Sequence, residues 1–194
     1  MNQRVLFSSI RLVLLSLIVL GLAYSMAVFA VGQLFFSYKA NGSLVTSGNK
    51  IIGSSLIGQN FTSPKYFQGR PSATTPTYNA EASGPSNYGP TSPLLLEEVK
   101  SNLERILKEN PGISASQVPP ELVESSASGL DPDISPASAY LQVPRVARVN
   151  HISATVLRNY IRQNTTSRFL GIFGTEYVNV LNLNMEVLKL DHKH

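Results

Sequence analysis

One stretch constrains this chain more than any other, because residues 12–36 are 25 consecutive positions without a charged side chain. As an α-helix rising about 1.5 Å per residue they would span roughly 37 Å, more than the ~30 Å hydrocarbon core of a bilayer. A water-soluble helix needs a polar face, and this segment has none. The pattern predicts a single transmembrane helix within an N-terminal anchoring segment, residues 1–37.

A cleaved signal peptide is the alternative interpretation, with Arg4 and Arg11 as its basic start and residues 28–30 as its cleavage site. Against cleavage, apolar residues continue past that site through Phe36. Because the two arginines precede the span without an opposing acid, the positive-inside rule places the N-terminus in the cytoplasm. The sequence therefore predicts a single-pass protein of the cell (inner) membrane, with residues 38–194 forming an extracytoplasmic domain.

Small residues inside the span predict a second role for it. Gly21, Ser25 and Ala27 would let another helix approach closely, whereas lipid contact alone would be met by leucine throughout. We expect these three positions to pack against a transmembrane helix of another protein.

The composition of the 194 residues limits what the domain can be. The chain has no cysteine, which excludes disulfides and thiolate metal sites. Setting aside Arg4 and Arg11 leaves 14 basic residues against 12 acidic ones, so no polyanionic partner is required. The first acidic residue is Glu81, which makes the membrane-proximal part basic and suited to phospholipid headgroups or an acidic neighbour.

Residues 58–93 are dense in Gly, Pro, Ser, Thr and Asn, yet they carry five aromatic side chains. This is too long for an ordinary connection and too aromatic for a solvated linker, so we expect an ordered binding loop. Phe61 and Phe67 are predicted to pack on the core. Arg70 has no acidic neighbour within ten residues; it either contacts a partner or pairs inside the domain with Glu121 or Asp131.

Secondary-structure signals predict an α+β domain with a small sheet and several short helices. Gly48-Asn49 indicates a hairpin turn, and Ser-Pro pairs at 92–93 and 135–136 predict helix starts. Pro120 is expected to begin a short helix, Pro144 to bend or break the chain, and Ser153 to cap a fourth helix. A strand over residues 177–183 and a helix over 185–190 would close the fold, and His192 and His194 are assigned to a tail without metal.

Other chemistries receive little support. Ser47 and Lys50 match S-x-x-K, but that chemistry needs both residues on one helical turn, and Gly-Asn lies between them. Five arginines and no acid lie between Asp133 and Glu176. A nucleic-acid surface there would be on the wrong side of the membrane. We therefore expect no nucleic-acid partner and no catalytic residue.

Three stretches, in this order and spacing, carry a resemblance to a known family. They are Gly58-Gln59-Asn60-Phe61 with Tyr66-Phe67-Gln68-Gly69-Arg70-Pro71-Ser72-Ala73; Ser126-Ala127-Ser128-Gly129-Leu130-Asp131-Pro132; and Gln142-Val143-Pro144-Arg145-Val146-Ala147. Together with the anchor and the closing Val178-Asn179-Val180-Leu181, the chain resembles the C subunit of the Kdp potassium-transporting P-type ATPase of bacteria and archaea.

The resemblance implies a non-catalytic subunit of a high-affinity, ATP-driven potassium uptake complex. Its expected partners are a channel-like K⁺-selecting subunit, a P-type ATP-hydrolysing subunit and the lipid bilayer. The expected roles are assembly and action as a catalytic chaperone that raises the ATP affinity of the hydrolysing subunit. ATP is thus the family-implied cofactor, but the sequence lacks G-x-x-x-x-G-K-[ST] and D-K-T-G. Pro85 also occupies a position where a glycine would suit a phosphate-cradling turn.

We expect the 58–87 loop to be the main contact with the channel-like subunit. The predicted contact residues are Gln59, Asn60, Phe61, Tyr66, Phe67, Gly69, Arg70, Ser72, Gln142 and Arg145. Two alternatives stay open at this point: a membrane-anchored serine hydrolase using Ser47 and Lys50, and a secreted binding protein released by signal cleavage.

Overall fold

A computed structural model describes residues 3–191, so the tail with His192 and His194 lies outside the described residues. The chain divides into two compact units between Leu44 and Val45. The boundary at residue 37 concerns membrane topology and stays a prediction.

The first unit is one long helical run. Helix α1 (Gln3–Ser16) continues through a π-helical turn (Leu17–Ala23) into helix α2 (Tyr24–Ala40), and none of their residues is buried. The 38 residues would extend roughly 57 Å, so the helix starts well before the predicted span. Asn41 ends it by donating from Nδ2 to the Ser37 carbonyl at 2.7 Å. By length and composition this helix is able to cross a membrane.

The second unit begins with the expected hairpin and a long irregular segment. Strands β1 (Leu44–Ser47) and β2 (Lys50–Ser54) pair across a turn in which Gly48 has a φ of +58°. An irregular segment follows, with one 3₁₀ turn at Ala80–Ala82. We call its residues 58–87 the 58–87 loop. Helix α3 (Pro93–Glu109) starts at the predicted Ser-Pro pair. The short helix predicted from Pro120 is only a 3₁₀ turn, Pro120–Leu122.

A three-stranded antiparallel sheet and three helices complete the unit. In chain order these are β3 (Asp133–Ile134), α4 (Pro136–Asn150), α5 (Ala154–Asn164), β4 (Thr165–Thr166), β5 (Tyr177–Asn179) and α6 (Val180–Asp191). Strand β5 is central, with Ile134 and Thr165 both opposite Val178. The predicted α+β class is confirmed. Between β4 and β5 the chain forms a tight turn, residues 168–174, which we call the apolar hairpin.

The core lies where α4, α5 and α6 cover this sheet. Its fully buried members include Val143, Leu157, Val178 and Leu183. Phe67, from the 58–87 loop, has no exposed surface and belongs to this cluster, and Phe61 packs against it. The predicted packing of both side chains on the core is therefore confirmed. The loop is therefore held by the core of the domain.

Two boundaries differ from the predictions: the break allowed at Pro144 is not found, and the strand over residues 177–183 is shorter. Pro144 lies inside α4, and the helix continues to Asn150 because Val143, Arg145 and Val146 are buried around it; tertiary packing outweighs the lost backbone bond. The strand predicted to reach residue 183 ends at Asn179. There the Asn179 Oδ1 accepts from the Asn182 N–H at 3.1 Å, which is helix N-capping, and α6 begins at once.

Candidate partner-contact site

A cleft of about 320 Å³ lies between the 58–87 loop and one face of α3. Six of the ten predicted contact residues line it: Gln59, Asn60, Phe61, Gly69, Arg70 and Ser72. The opposite wall was not predicted, and it consists of Glu98, Asn102, Arg105 and Glu109. Their spacing of three or four residues on a predicted helix was the available signal, since it places them on one face.

Tyr78 shapes the loop side of the cleft. Its hydroxyl donates to the Arg70 carbonyl at 2.6 Å. A Cβ on Gly58 or Gly69 would lie 2.4 Å or 2.8 Å from the Tyr78 side chain, so both positions need glycine. Burial raises the pKa of Tyr78 to about 12, and the nearby Asp131 carboxylate adds to this. The hydroxyl therefore remains a donor at neutral pH.

Ser72 joins the loop to the segment before β3. Its Oγ donates to the Gly129 carbonyl at 2.7 Å and accepts from the Tyr78 N–H at 3.0 Å. Gly129 has a φ of +66°, and a Cβ there would lie 2.6 Å from Thr74. These contacts fix the loop backbone without regular secondary structure.

Arg70 pairs within the domain, as one of the two open interpretations proposed. Its Nη1 lies 3.1 Å from Asp131 Oδ2, and its Nη2 donates to the Ser125 carbonyl at 3.4 Å. Glu121, the other candidate, instead accepts from the Ser135 N–H and from the Ser138 hydroxyl. Within residues 3–191 the buried Arg70 Nε has no hydrogen-bond acceptor.

The α3 wall of the cleft also contains one polar atom without a hydrogen-bond partner among the described residues. Arg105 donates from Nη1 to Gln68 Oε1 at 2.8 Å and lies 3.6 Å from Glu109 Oε1. The buried Glu109 Oε2 has no donor among the described residues. The residues lining the cleft therefore include one buried donor and one buried acceptor without protein partners.

The structure places three predicted contacts in the interior instead. Phe67 and Gln142 have no exposed surface, and Arg145 is 1% exposed, so a direct contact with a partner does not fit them. Tyr66 is half-buried with its ring edge-on to Phe61, the centroids 5.7 Å apart. The motif that contains these residues serves the domain's own structure.

Arg145 makes four hydrogen bonds from its buried side chain. It donates from Nη1 to the carbonyls of Pro64 at 2.6 Å and Tyr66 at 2.9 Å, and from Nε to Asn110 Oδ1 at 3.1 Å. Its Nη2 donates to Gln142 Oε1 at 2.6 Å. Burial lowers the pKa of Arg145, and the guanidinium stays charged because arginine starts so high.

Two side-chain amides dock the loop backbone as a neighbouring strand would. The Gln142 side chain accepts from the Gln68 N–H at 2.8 Å and donates to the Gln68 carbonyl at 3.0 Å. Asn184 does the same for Phe67, with both bonds at 2.8 Å. Asn184 was missed from the sequence. Its place among Val180, Leu183 and Val187 on the buried face of α6 was the signal for a buried amide.

Comparison with known proteins decides the family. The family model described as KdpC, K⁺-transporting ATPase c chain, matches residues 6–189. The potassium-transporting ATPase KdpC subunit of Caldanaerobacter subterraneus subsp. tengcongensis is 45% identical over 186 residues, covering 96% of this chain and 95% of that protein. The chain belongs to the KdpC family.

Other members of the KdpC family are similarly close. The subunit of the same name from Bacillus cereus (strain Q1) is 43% identical over 190 residues, covering 97% of both chains. That of Janthinobacterium sp. (strain Marseille) is 48% identical over 169 residues, covering 87% of this chain and 89% of its own. The match includes both the anchor and the domain.

ATP, which the KdpC resemblance implies, does not fit the turn at residues 83–85. The Gly84 N–H already donates to the Ser128 carbonyl at 3.0 Å, and Ser83 Oγ donates to the same oxygen at 2.9 Å. Pro85 has no N–H. A phosphate cradle needs several free backbone donors, and this turn offers none from Gly84 or Pro85.

The serine-hydrolase alternative does not fit the geometry of this KdpC-family chain either. Ser47 ends β1 and Lys50 begins β2, so the pair flanks a hairpin turn and does not lie on one helical face. Among residues 3–191, no group of three or more His, Cys, Asp or Glu residues is placed to hold a metal ion.

The three small residues of the KdpC-family anchor are available for packing. Gly21 lies in the π-helical turn, where an added Cβ would meet nothing within 4 Å, and Ser25 and Ala27 lie on α2. All three are exposed. Their contact with another transmembrane helix stays a prediction.

Proposed function

We propose that this chain is an accessory, non-catalytic subunit of an ATP-driven, high-affinity potassium uptake complex, and that it recognises the channel-like K⁺-selecting subunit through the cleft. The observation that carries the proposal is a pre-formed cleft lined by six of the ten predicted contact residues, with Arg105 and Glu109 of α3 on its opposite wall.

The membrane topology is part of the same proposal. Arg4 and Arg11 precede the apolar helix and favour an N-terminus in the cytoplasm, with the domain outside. Protease added to intact spheroplasts should then degrade the domain. Protection until the cells are lysed would show the opposite orientation.

The effect on ATP affinity is proposed to be indirect. An external domain and cytoplasmic ATP cannot meet, and neither Gly84 nor Pro85 supplies a free backbone donor in the 83–85 turn. The chain would therefore act on the P-type subunit through assembly, with the anchor helix as the mechanical connection. Direct photolabelling of the purified chain by an azido-ATP analogue would contradict this.

The test of the cleft uses a bulky substitution at an exposed lining residue. Asn60→Trp should obstruct the cleft without touching the core, while Lys100→Trp, also exposed but on α3 outside the cleft, is the matched control. Recovery of the other subunits from native membranes in mild detergent should fall about tenfold for Asn60→Trp, as expected for ~1.4 kcal/mol of lost contact. Both variants should keep the wild-type melting temperature. Equal recovery for both would place the interface elsewhere.

A further inference from the structure

The apolar hairpin exposes four large apolar side chains within five residues. Phe169 is 71% exposed, Leu170 74%, Ile172 74% and Phe173 61%. Exposed apolar side chains are ordinary when they are scattered, but a contiguous group on one protruding turn indicates a contact surface. The group has no role in the core of the domain, because none of its members belongs to the buried cluster.

The hairpin also satisfies part of its own backbone. The Phe169 N–H donates to the Phe173 carbonyl at 2.9 Å and the Phe173 N–H returns the bond at 3.0 Å. Gly171 donates to the Arg168 carbonyl and Ile172 to the Phe169 carbonyl. Positive φ values at Leu170 (54°) and Gly171 (74°) close the turn. These four bonds lower the cost of placing the turn at the boundary between water and lipid, where replacement hydrogen bonds are fewer than in water.

The charge around the hairpin has one sign over a long stretch of chain. Residues 134–175 contain no acid, and Arg168 begins the hairpin. Arg148, Arg158 and Arg162 are exposed on α4 and α5, and Glu176 is the first acid that follows. Of these cations Arg168 lies in the hairpin itself, and a cation next to exposed apolar side chains complements the anionic headgroups of a bilayer.

We propose that the apolar hairpin inserts into the boundary between headgroups and acyl chains of an anionic bilayer, as a second membrane contact of a chain that is already tethered by α1 and α2. A bilayer needs only apolar surface and positive charge, and the hairpin supplies both.

The test exploits the absence of cysteine from the chain. The full-length Ile172→Cys variant is labelled with an environment-sensitive fluorophore and reconstituted in nanodiscs of phosphatidylethanolamine and phosphatidylglycerol that contain a nitroxide-labelled lipid. Leu96→Cys on α3 is the matched control, because Leu96 is 63% exposed but has no flanking arginine run. We expect several-fold stronger quenching at 172 than at 96. Equal quenching at both positions, or none at 172, would overturn the proposal.

The electrostatic part has its own variant. Arg168→Glu in the Ile172→Cys background, or replacement of the anionic lipid by phosphatidylcholine, should reduce the quenching several-fold, while thermal unfolding stays unchanged. Quenching that ignores both changes would contradict the anionic-lipid assignment. The same label in the assembled complex gives a third result: shielding from water without lipid quenching would show that a protein covers the hairpin and that the lipid proposal is wrong.

Discussion

The 58–87 loop and the apolar hairpin contain the same kinds of residue, but the loop buries its aromatic side chains and the hairpin exposes them. Both join glycine to aromatic side chains, but Phe67 of the loop has no exposed surface whereas Phe169 of the hairpin is 71% exposed. The difference follows from the peptide groups. Asn184 satisfies the backbone of Phe67, while the hairpin bonds to itself. An irregular segment is buried here where the domain supplies partners for its backbone.

The sharpest test of this contrast removes one phenylalanine from each region. Phe67→Ala should lower the free energy of unfolding by about 3–5 kcal/mol, because it leaves a cavity in a core with no other way to fill it. Phe169→Ala should change it by less than ~0.5 kcal/mol. Urea titration of the full-length chain in detergent measures both. Similar losses in the two variants would mean that the hairpin is packed against the domain.

The second prediction concerns the arginine that holds the loop. Arg145→Met should cost about 3 kcal/mol, because the carbonyls of Pro64 and Tyr66 lose their buried donor. Arg148→Met, three residues along the same helix but exposed, is the control and should be nearly neutral. Hydrogen exchange of residues 64–68 should rise only in the Arg145 variant. Unchanged exchange there would show that the amides of Gln142 and Asn184 suffice.

Matched glycine substitutions compare the two backbones directly. Gly129, which accepts from the loop's Ser72, and Gly171 of the hairpin both have positive φ, at 66° and 74°. A Cβ at 129 would meet Thr74 at 2.6 Å, while a Cβ at 171 would meet nothing within 4 Å. Gly129→Ala should therefore cost about 2 kcal/mol or more and Gly171→Ala about 1 kcal/mol, the penalty of the left-handed backbone alone. Equal melting temperatures would contradict the tight packing of the loop.

These contrasts also show which parts were predictable. The helix starts at Pro93 and Pro136 and the turn at Gly48 follow from local chemistry, and the structure confirms them. The burial of Arg145 was not predictable in this way, because its carbonyl partners lie 79 and 81 residues away in sequence. Half of the cleft was missed for the same reason, since only folding brings α3 against the loop. Local signals predict elements well, whereas a site made by distant segments depends on packing.

The smallest predicted effect lies in a groove beside the 58–87 loop. Asp133 shares it with Arg70 of the loop and with Thr175, which follows the hairpin. Burial raises the pKa of Asp133, opposed by the bond from Asn179 and assisted by the nearby Asp131. Because the pKa of Asp133 is higher in the folded than in the unfolded state, its ionised carboxylate destabilises the fold at neutral pH. Below the unfolded-state pKa the carboxyl group is protonated in both states, and this destabilisation is absent.

Asp133→Asn keeps an acceptor for Asn179 and removes that charge. It should raise the free energy of unfolding at pH 7 by less than about 1 kcal/mol, since the group is only half-buried. The gain should fade as the pH falls through the folded-state pKa of Asp133 toward 3.8. Thermal melts of wild type and variant at neutral and acidic pH measure the difference. A gain that persists in acid would mean that it has another cause than the charge.

The buried amide on α6 has a consequence for how the chain is made. Asn184 lies 117 residues after Phe67 along the chain, an interval that synthesis at about 5–20 residues per second takes roughly 6–23 seconds to cover. During that time the backbone of Phe67 lacks the two hydrogen bonds from Asn184, while the N-terminal helix has already been synthesised. Phe67 and its neighbours in the loop are therefore fixed only when nearly all of the described chain is present, so the cleft that we propose as the contact surface forms late.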